Sequence, residues 1–310
     1  MDDQRRAWDY HDPAGTRMLG IAADVLRSFG SGIGGHHLAI VGGLAPVLLV
    51  PEPPSGLDLH VGTGDIDLML SIQLMEGETA EYYRSIVEGL RGLGLHPDED
   101  DGRTILWRWV GRHRGAAVQV ELLCPVRRRG GVPERPSAGT PAEVNVGPNG
   151  EITALALWLG HLVLEDTVIV ERRVETVHGS LTYPFPVAGL AAWLCLKWDA
   201  ITRRDKPKDA YDVVWVVDAL GPVVAARRIA ESALLTGRFA DEVRGGLSRL
   251  VGDQFRDVDS VGPRSYAGFF GDSGVDRRRR HALGTMNEFR SQLEALRVVA
   301  RTPWTGSTPV

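Results

Sequence analysis

The chain has 310 residues, 43% of them hydrophobic and 24% charged, with a formal net charge of −5. That length can bury a substantial core, and the composition is that of an ordinary globular protein rather than a disordered, fibrous or disulfide-stapled one. The mild acidity leaves no chain-wide nucleic-acid footprint, no apolar run approaches a membrane span, and two cysteines without metal or disulfide spacing fit a cytoplasmic setting.

Residues 1–14 are polar, with no signal-like apolar segment, and are expected to be peripheral. Leu19, Ala22, Ala23, Leu26 and Phe29 recur at helical spacing and predict a helix over 16–29. The link Gly30 to Gly35 reads as a flexible loop or as a phosphate loop. An apolar strand at 38–41 then runs into Gly42-Gly43 and a short helix at 44–49. Glycines at a strand-to-helix turn let backbone approach a phosphate closely, and the helix start would aim free N–H groups at it. After a proline-rich stretch comes a strand at 65–70, in which Asp65 and Asp67 alternate with Ile66 and Leu68. Both carboxylates therefore share one face, where they repel unless a cation or a proton neutralises them. A hard divalent ion with oxygen ligands is the usual answer.

A helix is expected over 78–93, stopped by Gly94, followed by strands near 104–110 and 117–123. Glu121 alternates with Val120 and Leu122 on the second of these, and is either a surface glutamate or a third acid beside Asp65 and Asp67 in a mixed sheet. Residues 127–148 form an Arg-, Gly- and Pro-rich loop in which Arg127, Arg128 and Arg129 are a solvated linker or phosphate contacts. Apolar stretches near 163–170 and 180–183 read as strands around a turn at His178-Gly179.

From Pro186 the pattern becomes helical, with Val187, Leu190, Leu194, Trp198 and Ile201 on one stripe to about Arg204. Lys197 lies on that stripe, which is expensive unless its charge is used, and Arg204 falls on the same side. The chain has three lysines, Lys197, Lys206 and Lys208, all in this one segment. A compact ammonium suits a phosphate in a way that arginine does not reproduce. A helix from Lys208 to Leu220 carries Asp209 and Asp212 on one face, as first-turn acids or as site residues. Further helices are expected at 222–236, 239–252 and 277–298, with a loop at 262–274 and a disordered tail after Thr302. Arg277 to Arg280 form a second basic cluster. Residues 1–150 hold 14 basic and 20 acidic side chains and 151–310 hold 21 and 20, which favours the second half for RNA.

Gly42-Gly43, a spacer, then Asp65-x-Asp67 on a strand resembles the signature of the DNA polymerase beta-type nucleotidyltransferase superfamily. Within it, Thr63-Gly64-Asp65-Ile66-Asp67-Leu68 resembles the AbiEii-type toxins of abortive-infection and toxin–antitoxin systems. The run Lys197 to Arg204, with Thr202, and the run Lys208-Asp209-Ala210-Tyr211-Asp212 are similar to two further segments of that family. The spacer 44–64 is longer than the family's, and Pro51, Pro53 and Pro54 predict a looped insertion. The resemblance implies an α+β protein: a polymerase beta-like catalytic domain over 1–150, its mixed sheet flanked by helices, then a mainly helical domain over 151–310. It implies Mg²⁺ (or Mn²⁺) held by Asp65, Asp67 and Glu121, with Lys197 catalytic. Gly42, Gly43, Thr63, Lys197, Arg204, Lys208, Asp209 and Asp212 would contact an NTP. The implied reaction is transfer of a nucleoside monophosphate to an acceptor hydroxyl, often the tRNA 3′ end, in a toxin restrained by an antitoxin protein. A small-molecule, antibiotic-type nucleotidyltransferase and a non-catalytic nucleotide-binding module remain the alternatives.

Overall fold

The computed structural model describes residues 5–30, 38–71, 79–126, 128–129, 132–133, 142–146, 150–204 and 206–300. The glycine-rich link at 31–35, most of the loop at 127–148 and the tail after Thr302 lie outside the described residues. The protein is α+β, with one nine-stranded mixed sheet. Its strands are β1 (Leu38–Ile40), β2 (Asp65–Leu70), β3 (Leu95–Asp100), β4 (Arg103–His113), β5 (Ala116–Pro125), β6 (Glu143–Asn145), β7 (Thr153–Leu157), β8 (Thr167–Thr176) and β9 (Gly179–Ala188). The main path runs β8-β9-β1-β2-β5-β4-β3. Strand β7 joins the far end of β5, at Leu123 to Pro125, beyond the last β4 pairing at Glu121. Strand β6 pairs with β7.

The helices are α1 (Thr16–Ser28), α2 (Ala45–Leu49), α3 (Thr79–Gly92), α4 (Gly160–Glu165), α5 (Leu190–Arg203), α6 (Pro207–Leu220), α7 (Pro222–Ala230), α8 (Ala240–Arg249), α9 (Val261–Phe269) and α10 (Val275–Ala295). Helix α1 lies on β8 and α3, while α5 packs on α6 and α8, and α9 on α6 and α10. One continuous apolar core extends from Met18 to Val299. Residue 150 falls just before β7 of the common sheet, and the helical part begins only at Leu190. Asp24, buried on α1, ties the layers together by accepting the Val177 N–H and pairing with His113 Nε2 at 2.9 Å. Among the described residues, no helix is long and apolar enough to cross a membrane.

Several expected elements differ. The stretch 163–170 is split between α4 and β8, because Asp166 turns the chain and accepts from the start of α5. Pro186 does not open a helix; with Pro184 it lies inside β9, opposite Ile169 and Glu171 on the edge strand. A strand takes proline where the missing donor faces away from the ladder. The helix starts at Leu190, after Gly189, whose Cα hydrogens lie against the Asp166 carboxylate where no side chain would fit. The expected loop at 262–274 contains α9 instead, since Ala267 and Phe269 are buried and Gly262 packs flat on the Phe255 ring. Tertiary burial here overrides the weak local helix preference. Strands β3, β6 and β7 carry too little alternation to be seen in the sequence.

Candidate functional site

The acid face is built by two neighbouring strands. On β2, Ile66 and Leu68 are fully buried, which forces Asp65 and Asp67 to the opposite face. Strand β5 pairs with β2 in parallel, so Glu121 stands beside Asp67 and Gln119 beside Asp65. The Thr63 hydroxyl donates to Asp65 Oδ1. Glu121 Oε1 accepts from Gln119 Nε2 at 2.8 Å and from Arg108 Nε at 3.2 Å, the arginine reaching across from β4. Burial, then the charges of Asp65 and Glu121, push the Asp67 pKa well above the usual carboxylate range. Burial and Asp65 raise Glu121 as well, against Arg108. Gly42, in a left-handed conformation (φ 62°), closes over this face: a Cβ there would overlap the Asp67 carboxylate. Trp193 Nε1 on α5 donates to the Gly42 carbonyl at 3.1 Å and holds the turn. Gly43 faces the opening between Thr63 and Lys208. Helix α2 spans only five residues, so the turn's own backbone, rather than a helix terminus, borders the opening.

The opposite wall is cationic. Lys197 is buried on α5 and donates at 2.7 Å to both Asp209 Oδ1 and Asp212 Oδ2 of α6. Arg204, just past the end of α5, holds Asp209 through Nε at 2.8 Å and Nη2 at 3.0 Å. Lys208 donates to Asp212 Oδ1 at 2.7 Å. Burial would lower the Lys197 pKa, but the two aspartates outweigh it and hold the value above that of an ordinary lysine. Burial would likewise raise Asp209 and Asp212, yet the cations hold both carboxyls far below the usual range. Lys197 is thus first an organiser of the wall, and Lys208 is the lysine that overhangs Gly43.

The long spacer closes this network. His60 is completely buried, accepts the Gly62 N–H on Nδ1 at 3.1 Å, and donates from Nε2 to Asp212 Oδ1 at 3.0 Å. Those two bonds fix it as the neutral Nε2–H tautomer. Its ring lies against Tyr211 and Trp215, with centroids 5.2 and 4.9 Å away. Val61 N–H donates to Tyr211 Oη, and Trp215 Nε1 to the Asp58 carbonyl, so α6 fastens the insertion beside the acids. Burial drops the His60 pKa to about 4, against the pull of Asp212. The N-terminal stretch, expected to be peripheral, also contributes: Arg5 approaches Gly64, and the Tyr10 ring lies 5.5 Å from Lys208 Nζ.

Both walls line one cleft. It brings together the residues that the sequence marks for the site, namely Gly42, Gly43, Thr63, Asp65, Asp67, Glu121, Lys197, Arg204, Lys208, Asp209 and Asp212, and adds Arg5, Tyr10 and Lys206. A second, largely apolar cavity adjoins it behind Asp67 and Glu121, lined by Leu123, Leu155, Leu157, Trp193 and Leu196. Arg278 packs 4.7 Å from the Phe270 ring and Arg279 pairs with Asp259, so the 277–280 cluster stands apart from the cleft. Among the described residues, no three ligating side chains form a ready-made metal cluster. Glu121 is drawn aside by Arg108 and Gln119. The donor chemistry nonetheless fits a hard divalent ion: the set is all oxygen, and Asp67, one of two neighbouring carboxylates of raised proton affinity, has no ion-pair partner among the described residues. No protein-family model and no curated protein matches the chain.

Three expectations follow for measurement. Gly42→Ala should lose roughly 2–3 kcal/mol in urea unfolding, from left-handed backbone and the Asp67 overlap, whereas Gly43→Ala, with no backbone strain but a close approach to the Thr63 side chain and the Lys208 ammonium, should lose about 1 kcal/mol. Lys197→Ala leaves Asp209 and Asp212 short of a cation and should cost roughly 3–5 kcal/mol in the same assay. His60 contributes stability above its unfolded pKa of about 6.5 that is lost as pH falls towards about 4, because the unfolded chain takes the proton first. Asp67 and Glu121, with raised pKa values, act in the opposite sense, so the readout is a difference. The unfolding free energy of wild type minus that of His60→Gln should fall by a few kcal/mol between pH 6.5 and 4.

Proposed function

We propose that this protein is a metal-dependent nucleotidyltransferase that moves a nucleoside monophosphate from an NTP to an acceptor hydroxyl and releases pyrophosphate. The observation that carries the reading is the cleft with opposed walls, acids and a Cβ-free turn on one side and buried-anchored cations on the other. A triphosphate needs both: cations for its oxygens, and carboxylates for the ions that accompany it. Asp65 and Asp67 would hold those ions, Mg²⁺ or Mn²⁺, with Glu121 joining from β5. When bound, they supply charge neutralisation on the phosphates and a lowered pKa for the attacking hydroxyl.

The chain's own part is positioning and electrostatics. The Gly42-Gly43 turn seats the phosphates closely, and Thr63 holds Asp65 in place through its hydroxyl. The acceptor hydroxyl gives up its proton to solvent and its oxygen bonds to the α-phosphorus while the bond from that phosphorus to the α–β bridging oxygen breaks, and the negative charge passes to pyrophosphate. Lys208 and Arg204 stand where that charge collects, and Lys197 keeps their aspartate anchors compensated. The resemblance to AbiEii-type toxins supports an RNA acceptor, the tRNA 3′ end, and a growth-arresting role restrained by an antitoxin. The apolar cavity behind Asp67 favours a second reading, a compact small-molecule acceptor.

Incubation with each α-labelled NTP, Mg²⁺ and either total RNA or a panel of aminoglycosides separates the two. Label should enter RNA. Asp65→Ala and Asp67→Ala should each lower transfer by at least about a thousandfold while unfolding stability stays level or rises, since one acid of a repelling pair is gone. Near-normal turnover in either variant would overturn the assignment.

A further inference from the structure

A groove leaves the cleft at Arg204 and Pro207 and runs between the end of α5, helix α9 and the N-terminal stretch. Arg6, Arg203, Arg204 and Arg264 line it together with Ser265 and Gly268, and no carboxylate does so among the described residues. Arg203 is held by Asp199 at 2.9 Å and Arg204 by Asp209; the Asp9 carboxylate takes the Arg6 backbone N–H at 2.7 Å, but the guanidinium groups of Arg6 and Arg264 have no carboxylate partner among the described residues. With Arg203 and Arg204 paired, Arg6 and Arg264 leave the open trough net positive, and a polyanion would neutralise them by displacing counterions. A second feature narrows the ligand. Trp8, two residues from Arg6, is 60% exposed, the most exposed large hydrophobic side chain among the described residues, and its ring edge rests on Gly271 just past α9. A basic trough beside an exposed indole matches what a single strand needs: cations along its phosphates and a flat surface for a base. A small anion would use neither the length of the groove nor the ring.

We propose that this groove binds the phosphodiester backbone of single-stranded nucleic acid, with Arg6 and Arg264 on phosphates and Trp8 stacked on a base. The strand's terminal hydroxyl would then reach Asp67 and Glu121 past Arg204. Only this last step, the delivery of the hydroxyl, rests on the nucleotidyl-transfer reading. Nucleic acid engages α9 and the N-terminal stretch, then, and not the 277–280 cluster.

The test is fluorescence anisotropy of the full chain with a labelled 12-nucleotide single-stranded RNA, without NTP or metal, over a range of salt. The wild type should bind with an affinity that falls steeply with salt. Arg6→Gln/Arg264→Gln should weaken binding about tenfold or more and flatten the salt slope by about 1.4, at about 0.7 for each phosphate no longer neutralised. Trp8→Ala should weaken RNA binding by about five-fold or more yet leave binding of inorganic polyphosphate, which has no bases, unchanged. Unfolding curves and binding of a fluorescent NTP analogue should be the same in both variants as in the wild type. An unaltered RNA affinity and salt slope in the double arginine variant would overturn the proposal, as would polyphosphate or polyglutamate binding as tightly as RNA. Loss of RNA binding in the variants, with no transfer by the wild type to any acceptor, would keep the groove and remove the nucleotidyl-transfer reading. Normal RNA binding in the variants with active transfer would do the reverse.

Discussion

Asp212 is the point on which the site turns. Its two oxygens receive Lys197 and Lys208 from two helices and His60 from the spacer, all within 3.0 Å. A carboxylate this deep in the protein is tolerated only with such saturation. Once it is saturated, two consecutive helices and a spacer about 150 residues before them have one permitted arrangement. Asp209 repeats the device on a smaller scale with Lys197 and Arg204. Lys197 is shared by both aspartates and so locks α5 to α6. The net result is three cations around two anions, a surplus of positive charge presented to the cleft from a rigid base. A loop of surface lysines could carry the same charge but could not fix its position.

The acid face balances this wall rather than joining it. Asp65, Asp67 and Glu121 are set by strand register, and only Glu121 is given a cation, Arg108, by the surrounding sheet. Buried like charges of this kind cost stability. The sheet tolerates them because Ile66, Leu68, Val120 and Leu122 on the reverse face are buried completely. Stability on one face of two strands thus supports chemistry on the other, a division available only to a period-2 structure.

The acid pair, the diglycine turn, and the Lys197 and Asp209–Asp212 helices were legible in the sequence because each is a local pattern of alternation or helical spacing. What escaped it depends on distant partners. His60 is a lone histidine in a proline-rich stretch, and its meaning comes from Asp212, 152 residues on. Arg5 and Tyr10 belong to a stretch that reads as polar and peripheral, yet they line the cleft because the stretch from Asp12 to Gly15 is tied to the spacer through the Ala14 N–H and the His60 carbonyl. The arginine groove draws on residues 6, 203 and 264, which no window would join. Helix α9 and the C-terminal end of β9, where Pro186 reads as a helix start although the strand at 180–183 is visible, depart for the same reason: glycine and proline signal breaks locally, while packing against Phe255 and pairing with β8 decide otherwise.

The place of β1 in the sheet carries a consequence for the order of assembly. It lies between β2, about 30 residues later in the chain, and β9, almost 150 residues later. A ribosome would therefore release the acid strands long before the lysine helices that oppose them exist. Through that interval three carboxylates face outward with Arg108 as their counter-charge, and the edge of β1 waits for a parallel partner. Long-range parallel pairing of this sort is slow and leaves a nascent chain exposed to aggregation. It also means that a shortened product ending before residue 212 lacks the carboxylate that gathers Lys197, Lys208 and His60, so the two-walled cleft is complete only once the second half of the polypeptide exists.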